Sequence, residues 1–412
     1  MQWFLQRFRR LWYAVGIVAL ISLAGSGFGV QQSVEAPKET LLVWHDWPEP
    51  QGDLVRQLVN EFMAIYANLT VVVEYVSGRH FRERFLAQAN SGLSPDLVIG
   101  PELYILTDLV NSGFLQDLTQ VDLNTDDLFP HTLEALKVDG RLYGIPFAAH
   151  TNILYYNKKL LRETSTDRTA SPPQSLDDLL AEAQAGRRVA LTTDFYHAYW
   201  GIKAFGGQML DDKGQLALDH AYSKWLAWLV RAQEEPTMLL NHDYDTLFET
   251  FARGEAAYFV GHSTALLTLK ERVGQDALGT STLPQGTNEA GALMDLEAIA
   301  VSTQTMHPSL CFEMVEFLTN RVHQHKLITG DFGHIPVSRS LRFDSRLLPV
   351  AATLNQQIRH TSIVPLAHTH FQEELFAIGD EIYLQVLSGA LDPESAPATA
   401  LQRLSRKVAQ HR

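Results

Sequence analysis

The chain has 412 residues, of which 46% are hydrophobic and 19% charged, and its formal net charge at pH 7 is −14. This length and composition exclude a disordered protein and predict a large core, divided between two lobes. The acidic balance excludes a nucleic-acid partner, because phosphate backbones are bound by basic surfaces. Since Cys311 is the only cysteine, disulfides and cysteine-based metal centres are excluded, and its apolar helical surroundings predict a buried structural thiol.

The first 36 residues have the order of an export signal. Arg7, Arg9 and Arg10 precede an uncharged stretch at residues 11–30, which is the charged-then-apolar pattern of such signals. The stretch is also close to the ~20 residues that a membrane-spanning helix needs. Two outcomes therefore stay open: cleavage after a small residue, or retention as an N-terminal membrane anchor.

The first predicted strand after this segment ends in an aromatic and acidic loop. The strand is the apolar run at residues 41–44, and the loop is HDWPEP at residues 45–50. Ligands of open α/β sheets bind beyond the carboxyl ends of strands, and aromatic faces and carboxylates suit sugars or cations. Trp44, Asp46 and Trp47 are therefore a candidate wall of a binding site, although a core position explains Trp44 equally well.

Alternating helix and strand patterns continue to residues 95–102, PDLVIGPE, which predict a third strand with its terminal loop. The side chain of Glu102 could cap the next helix, which we expect to begin near Leu103.

The stretch at residues 138–159 predicts a crossing between lobes. Asp139-Gly140 forms a tight turn, a short strand then meets Pro146, and a second strand begins at Ile153. Proline has no N–H to donate to an interior ladder, so we expect the strand to be broken there. His150 and Asn152 would lie at this crossing, where ligand clefts often form between domains.

A proline-rich linker after this crossing is followed by Ser175, which we expect to be the N-cap of a helix. Asp178 stands three residues further on, as in a capping box.

A second strand and helix place aromatic residues beside the predicted cleft. The strand at residues 189–193 is followed by the densest aromatic segment of the chain, DFYHAYW. Tyr196 and Trp200 are four residues apart, on one face of the predicted helix. A core stripe accounts for part of this spacing, and we expect one of the two side chains to reach a solute.

Asp295 and Glu297 lie two residues apart on a predicted strand at residues 291–301, so their side chains share a face. Such a pair could serve acid/base catalysis or bind the hydroxyl groups of a solute, and we favour the second role.

Four motifs, in this order, carry a family resemblance: GRLYGIP at residues 140–146, LYYNK at 154–158, FARGEAAYFVGH at 251–262 and FGHIPV at 332–337. They resemble the extracellular solute-binding proteins of ABC importers, specifically the maltose-binding-protein-like group, and the resemblance extends over residues 41–404. It implies an α/β fold of the two-lobe periplasmic binding protein type (class II), with three interlobe crossings. It also implies a binding protein without catalytic activity, cofactor or metal of its own.

The resemblance adds three residues to the candidate site. Glu102 matches a position that often touches the solute in relatives, and His334 belongs to the motif at the third crossing. His262 stands where relatives commonly have tryptophan, which implies a smaller or more polar ligand than a long glucan.

The resemblance also implies a domain organisation and partners. We expect residues 37–142 and 297–333 to form the N-terminal lobe, and residues 143–296 and 334–412 the C-terminal lobe. The implied function is a monomeric periplasmic or extracytoplasmic receptor that delivers a sugar or glycosyl-polyol to the transmembrane subunits of an ABC permease. Relatives often carry a lipidated cysteine after the signal, but Ser26 stands there and cannot form the thioether.

Two alternatives remain. The carboxylates of Asp46, Glu102, Asp295 and Glu297 could belong to a secreted carbohydrate-active enzyme. The pairs His323/His325 and His368/His370 could belong to a metal-binding periplasmic protein, although a solvated surface explains them better because no further ligand follows at a suitable spacing.

Overall fold

The structure is a computed structural model that describes residues 39–164, 171–211 and 217–410. The strands of this part are β1 (Glu39–His45), β2 (Leu69–Tyr75), β3 (Leu97–Ile99), β4 (Lys137–Val138), β5 (Arg141–Leu142), β6 (Ile145–Asn157), β7 (Val189–Thr192), β8 (Met238–Asn241), β9 (Tyr258–His262), β10 (Leu278–Ser281), β11 (Met294–Val301) and β12 (Ile335–Pro336). The helices are α1 (Gly52–Met63), α2 (Gly78–Ala89), α3 (Leu103–Asn111), α4 (Pro130–Ala135), α5 (Lys158–Thr164), α6 (Leu176–Gln184), α7 (Phe195–Ala204), α8 (His220–Ala232), α9 (Tyr244–Ala252), α10 (Leu266–Val273), α11 (Pro308–Thr319), α12 (Arg321–Lys326), α13 (Pro349–Gln357), α14 (Gln372–Leu387) and α15 (Ala396–Gln410).

Ten of the strands form one mixed sheet, with the order β2-β1-β3-β11-β6-β9-β7-β8 and with β10 and β12 paired to β6. Strands β1 and β3 run parallel, as do β7 and both of its neighbours, whereas β11 and β9 run antiparallel to β6. The buried side chains form two clusters. One includes strands β1, β3 and β11, and the other includes helices α7, α8 and α14. The chain thus has the two cores expected of a two-lobe α/β fold.

Strand β6 belongs to both halves of the sheet. Its first half, up to Thr151, pairs with β11, and its second half, from Asn152, pairs with β9. Nearly all of its residues are buried, because neighbours cover the strand over its whole length. This continuity supports a crossing within β6, while the lobe boundaries given above stay a prediction.

The predicted break in this strand is wrong. One strand of 13 residues runs through Pro146 without interruption. A β-bulge explains how it is accommodated: Pro146 pairs with Ala298 and Ala148 with Glu297, so Phe147 is the extra residue between them. Proline is tolerated at bulges and near the start of a strand, because no ladder N–H is required of it there.

Local predictions from turn and cap chemistry are confirmed. Asp139 and Gly140 join β4 to β5 with φ angles of +50° and +76°, which is the positive-φ pair of a type I′ hairpin turn. Ser175 and Asp178 form a complete capping box at the start of α6, so two orphan backbone N–H groups are satisfied there. Cys311 is buried on α11, as predicted.

The predicted export segment, residues 1–36, and Ser26 within it lie outside the described residues. Within the described part of the chain, none of the helices has both the length and the apolar character to span a membrane.

Candidate functional site

A cavity of about 370 Å³ opens at the carboxyl ends of β1 and β3, beside the middle of β6 and β11. Its lining includes nine of the predicted site residues, which come from separate parts of the chain. They are Asp46, Trp47, Glu102, His150, Tyr196, His262, Asp295, Glu297 and His334. This position agrees with the rule that ligands of α/β sheets bind beyond the carboxyl ends of strands.

Trp47 forms the floor of the cavity next to the end of β1. Its ring stacks on His334, with centroids 3.9 Å apart, and on Phe147 at 5.4 Å. Its Nε1 donates a hydrogen bond to Glu297 Oε2 at 3.0 Å. Since the side chain is only 2% exposed, its faces are already covered by protein. The prediction that Trp47 lies at the site is compatible with this position, but its indole face is not free to stack on a solute.

Gly100 allows the chain to pass close to this floor. It follows β3 with a φ of +89°, and a Cβ atom there would lie 2.5 Å from Asp46 Oδ1 and 2.9 Å from Trp47 Nε1. Both the backbone conformation and the close approach require glycine.

Strand β11 presents its two carboxylates to the cavity, as their spacing predicted. Glu297 Oε1 lies 3.2 Å from His150 Nε2. Asp295 accepts a hydrogen bond from the Tyr196 hydroxyl at 2.7 Å, and its Oδ2 lies 3.2 Å from His262 Nε2. The side chain of Asp295 is about half exposed, at 54%, and is therefore available to a ligand.

Three histidines stand side by side along the cavity. His334 Nδ1 lies 3.1 Å from His150 Nε2, and His150 Nδ1 lies 3.2 Å from the carbonyl oxygen of Gly333. Burial alone would lower the pKa of His150, but the carboxylate of Glu297 raises it above the ordinary value. Burial lowers the pKa of His262 and, together with His150, holds that of His334 well below its usual range. His334 is therefore neutral at pH 7, while His150 is the histidine that favours a proton.

The remaining two carboxylates have no side-chain donor among the described residues. Burial, reinforced by Glu297 and Glu102, raises the pKa of Asp46 to about 8. Burial and the charge of Asp295 also raise the pKa of Glu102. The described residues that line the cavity include four carboxylates but no lysine or arginine. A ligand with hydroxyl or ammonium donors would supply the hydrogen bonds that Asp46 and Glu102 do not receive from the described side chains.

The structure does not bring three of the predicted residues to the cavity. Trp44 is fully buried and packs edge-on against Phe81 and Phe85 of α2, so the alternative core interpretation holds. Trp200 is 1% exposed and packs on Trp225, because one further turn of α7 points into the core. Asn152 is covered by α7, where it donates to the carbonyl of His197 at 3.4 Å.

The sequence predicts two roles for Glu102, a helix cap or a contact with the solute, and the geometry favours its position in the cavity. It occupies the N-cap position of α3, but its side chain accepts no capping hydrogen bond. The side chain lines the cavity instead.

The histidine pairs considered as metal ligands lie elsewhere, on helices rather than on strands. His323 lies on α12 and binds the carbonyl oxygen of Phe317 at 2.5 Å. His368 and His370 lie in a 3₁₀ turn before α14. Among the described residues, neither pair belongs to a cluster that could hold a metal ion.

Some residues of the cavity were missed by the sequence analysis. They are Gln51, Tyr104, Thr264, Gln372 and Phe376. Tyr104 could have been found from its position two residues after Glu102, in the first turn of α3. Gln51, Thr264, Gln372 and Phe376 carry no local signal, and the last two lie on α14, which reaches the cavity only through the tertiary fold.

A comparison with protein families identifies the chain. Residues 57–344 match the model of a family described as bacterial extracellular solute-binding protein. The chain belongs to this family. It is therefore a solute-binding protein, and the predicted resemblance to the maltose-binding-protein-like group of ABC systems is confirmed. The relatives described below are binding proteins rather than enzymes, in agreement with the prediction.

Individual relatives are more distant. The solute-binding protein is 24% identical to a maltotriose-binding protein from Pyrococcus abyssi, over 81% of this chain and 75% of that protein. It is 22% identical to a galactooligosaccharide-binding protein from Bacillus subtilis, over 92% and 93% of the two chains. The crystal structure of a cyclic alpha-maltosyl-1,6-maltose binding protein from Arthrobacter globiformis superposes with a TM-score of 0.78 at 18% identity, covering 90% of this chain and 99% of that one. The two-lobe fold is thereby confirmed.

Proposed function

We propose that this solute-binding protein is the receptor of an ABC importer and that it binds a sugar or sugar-like solute in the cavity described above. The observation that carries the proposal is the meeting of nine predicted residues in one cavity, where unpartnered carboxylates face aromatic side chains. Relatives that bind maltotriose and galactooligosaccharides support the choice of a sugar.

The polar side of the cavity suits hydroxyl donors. Neither Asp46 nor Glu102 accepts a hydrogen bond from another described side chain, so a solute hydroxyl would restore the hydrogen bonding that these carboxylates lose on burial. Asp295 and Glu297 complete an acidic surface around the same volume. Asp46, whose pKa is raised to about 8, accepts such a bond as a neutral carboxyl group, which contributes about 0.5–1.5 kcal/mol. A bond to the charged Asp295, whose pKa is lowered, contributes about 1.5–3 kcal/mol, and together these bonds select a ligand rich in hydroxyl groups.

The apolar side of the cavity comes from Tyr196 and Phe376, whose ring centroids lie 6.0 Å apart, and from Tyr104, which also lines it. These rings can cover the C–H faces of a sugar ring. A volume of about 370 Å³ is at the lower end of the range for ligand sites, roughly 300–1,000 Å³. It supports the expectation, first drawn from His262, that the solute is smaller than a long glucan.

Delivery to a permease follows from a change of shape. Strands β6, β11 and the segment before β12 meet beside the cavity and correspond to the three predicted crossings. Solute held there shifts the population toward a closed form. That form docks on the transmembrane subunits, and the receptor acts as a monomer.

A thermal-shift screen of the full-length protein tests the binding function. The compounds are mono- and oligosaccharides, glycosyl-polyols, polyamines and divalent metals. A solute present at 100 times its dissociation constant stabilises the native state by about 2.7 kcal/mol, so one sugar class should raise the melting temperature. A panel in which no sugar raises it, or in which a sugar is consumed, would contradict the proposal, and consumption would favour the enzyme alternative.

The variant Glu102→Ala tests whether the cavity binds the sugar. The Glu102 side chain makes no capping hydrogen bond, so its removal should not disturb the fold. We expect it to weaken binding of the stabilising sugar at least about tenfold, which corresponds to one lost charge-assisted hydrogen bond. Asp177→Ala, at an exposed position in the first turn of α6, should leave the affinity unchanged. Uptake of the same sugar by cells that lack the receptor tests the transport step.

A further inference from the structure

We propose that His150, Glu297 and His334 form a binding site for a divalent transition-metal ion of the zinc type, at the base of the cavity. The proposal goes beyond the binding of a sugar and does not depend on it. Its ligands come from β6, from β11 and from the residue before β12, so three separate segments of the chain converge on one point.

The distances between the donor atoms fit a metal ion. His150 Nε2 lies 3.1 Å from His334 Nδ1 and 3.2 Å from Glu297 Oε1, and His334 Nδ1 lies 3.8 Å from Glu297 Oε2. Zinc binds nitrogen and oxygen at roughly 2.0–2.2 Å in a tetrahedron, which places its ligand atoms ~3.3–3.5 Å apart. The two Glu297 distances involve its two different oxygens; with one donor atom taken from each residue, all three lie within 4.8 Å of one another. Side-chain movements of ~1 Å would bring them to the separation that one ion requires.

Hydrogen bonds hold two of the three ligands, His150 and Glu297, in the orientation that a metal requires. The carbonyl oxygen of Gly333 lies 3.2 Å from His150 Nδ1, and it can only accept. It therefore keeps a proton on that nitrogen and turns Nε2 toward the other ligands. The indole N–H of Trp47 donates to Glu297 Oε2 and fixes the carboxylate. Such outer contacts to backbone carbonyls and carboxylates are typical of metal-binding histidine and glutamate.

Protein hydrogen bonds alone do not account for the cluster. His150 Nε2 faces a carboxylate oxygen of Glu297 and the ring nitrogen of His334 at nearly equal distances. One proton on Nε2 can be directed at only one of these two acceptors at a time. A cation among the three donor atoms satisfies all of them together.

The surroundings favour a cation. His150 and His334 are 6% and 3% exposed, so the two imidazoles are held in a shielded site. The carboxylate of Asp295 lines the same cavity, and none of the described lining residues is a lysine or arginine. Two histidines and one carboxylate leave a fourth tetrahedral position, as in zinc sites that keep a water or a substrate group. Since all three ligands line the cavity, that position opens toward it.

Equilibrium dialysis with Zn²⁺ tests the proposal on the full-length protein, purified without a histidine tag and stripped with EDTA. We expect one equivalent of Zn²⁺ with micromolar or tighter affinity. Co²⁺ substituted for Zn²⁺ should give the strong visible absorption of a tetrahedral ion. A wild-type protein that binds no Zn²⁺ in this range would overturn the proposal, as would Co²⁺ with the weak spectrum of an octahedral ion.

Two variants locate the ion. Glu297→Gln keeps the size of the side chain, and His334→Ala removes one imidazole, so each should weaken Zn²⁺ binding by about tenfold or more. His80→Ala, at an exposed position on α2, should bind as tightly as the wild type. Wild-type affinity in both cavity variants would place the ion elsewhere and refute the site. Circular dichroism and apo-protein melting confirm folding, and Glu297→Gln alone decides the question if His334→Ala does not fold.

The sugar screen repeated in EDTA separates this proposal from the previous one. A sugar that raises the melting temperature without metal supports the receptor function whatever the result with Zn²⁺, and Zn²⁺ binding by itself says nothing about the sugar.

Discussion

Gly100→Ala is the most informative single change at the cavity, because it combines a backbone cost with a collision. Gly100 has a φ of +89°, and the new methyl carbon would lie 2.5 Å from Asp46 Oδ1 and 2.9 Å from Trp47 Nε1. The Trp47 side chain cannot easily move away from the added methyl group. Trp47 is held between His334 and Phe147 and is bonded to Glu297.

The size of the effect follows from two separate contributions. An alanine held at positive φ costs about 1–2 kcal/mol, and an added methyl group in a well-packed site costs about 1–3 kcal/mol more. We therefore expect Gly100→Ala to lower the free energy of unfolding by roughly 2–5 kcal/mol. Gly113→Ala is the matched control, because Gly113 has a similar φ of +75° and an added methyl carbon would meet nothing within 4 Å. It should show the backbone cost alone.

Urea unfolding of the two variants and the wild type measures both contributions, as shifts of the midpoint at a common slope. The sugar identified in the thermal-shift screen supplies the second reading. Gly100→Ala should bind it at least about tenfold more weakly, since a displaced Asp46 would lose about 1.4 kcal/mol or more of contact with the sugar, whereas Gly113→Ala should bind it normally. Equal stability and equal affinity in the two variants would refute the claim that Gly100 sets the position of the cavity floor.

Three further predictions concern the pKa of one carboxyl, one core contact and the single thiol. The pKa of Asp46 is raised to about 8, so between its ordinary value and pH 8 the native state binds more protons than the unfolded state, and stability falls as pH rises. Asp46→Asn should therefore stabilise the protein by about 2–4 kcal/mol more at pH 8 than at pH 5. If the substitution changed the melting temperature equally at the two pH values, the raised pKa of Asp46 would be contradicted. Gly201→Ala should destabilise by about 1–3 kcal/mol, because its Cβ would lie 2.1 Å from the buried ring of Trp225; an unchanged melting temperature would show that the ring can move. Burial raises the pKa of the Cys311 thiol to about 12, so a thiol reagent at pH 8 should label it only in urea, and rapid labelling of the native protein would show that the thiol is accessible.

The sequence predicted best what depends on neighbouring residues. The Asp139-Gly140 turn and the Ser175 capping box were found because glycine at positive φ and a paired N-cap act over three or four residues. The break at Pro146 was wrongly predicted for the complementary reason. The bulge that tolerates this proline lies opposite Glu297 and Ala298 of β11, about 150 residues away in the chain.

Two pairs of nearby aromatic residues show that local sequence patterns do not predict which side chains reach the cavity. Trp44 and Trp47 are three residues apart, yet one fills the core against α2 and the other lines the cavity. Tyr196 and Trp200 share a helix face, but only Tyr196, at the helix start, reaches the cavity. Periodicity identifies a buried face. It does not say whether the neighbour of that face is protein or ligand, since that depends on how far the element extends beyond the sheet.

The histidine cluster shows how tertiary pairing creates chemistry that spacing within the chain does not reveal. Spacing within the chain indicates His323/His325 and His368/His370 as possible metal ligands. Among the described residues, neither pair belongs to a cluster that could hold a metal ion. In β6, Ala148 pairs with Glu297, His150 with Asp295, and Ala149 with Ile335. This double pairing places His150, Glu297 and His334 around one point. A shift of either neighbour by one residue would turn its ligand to the opposite face, so the register of β11 and β12 on β6 determines whether a metal ion can be bound at all.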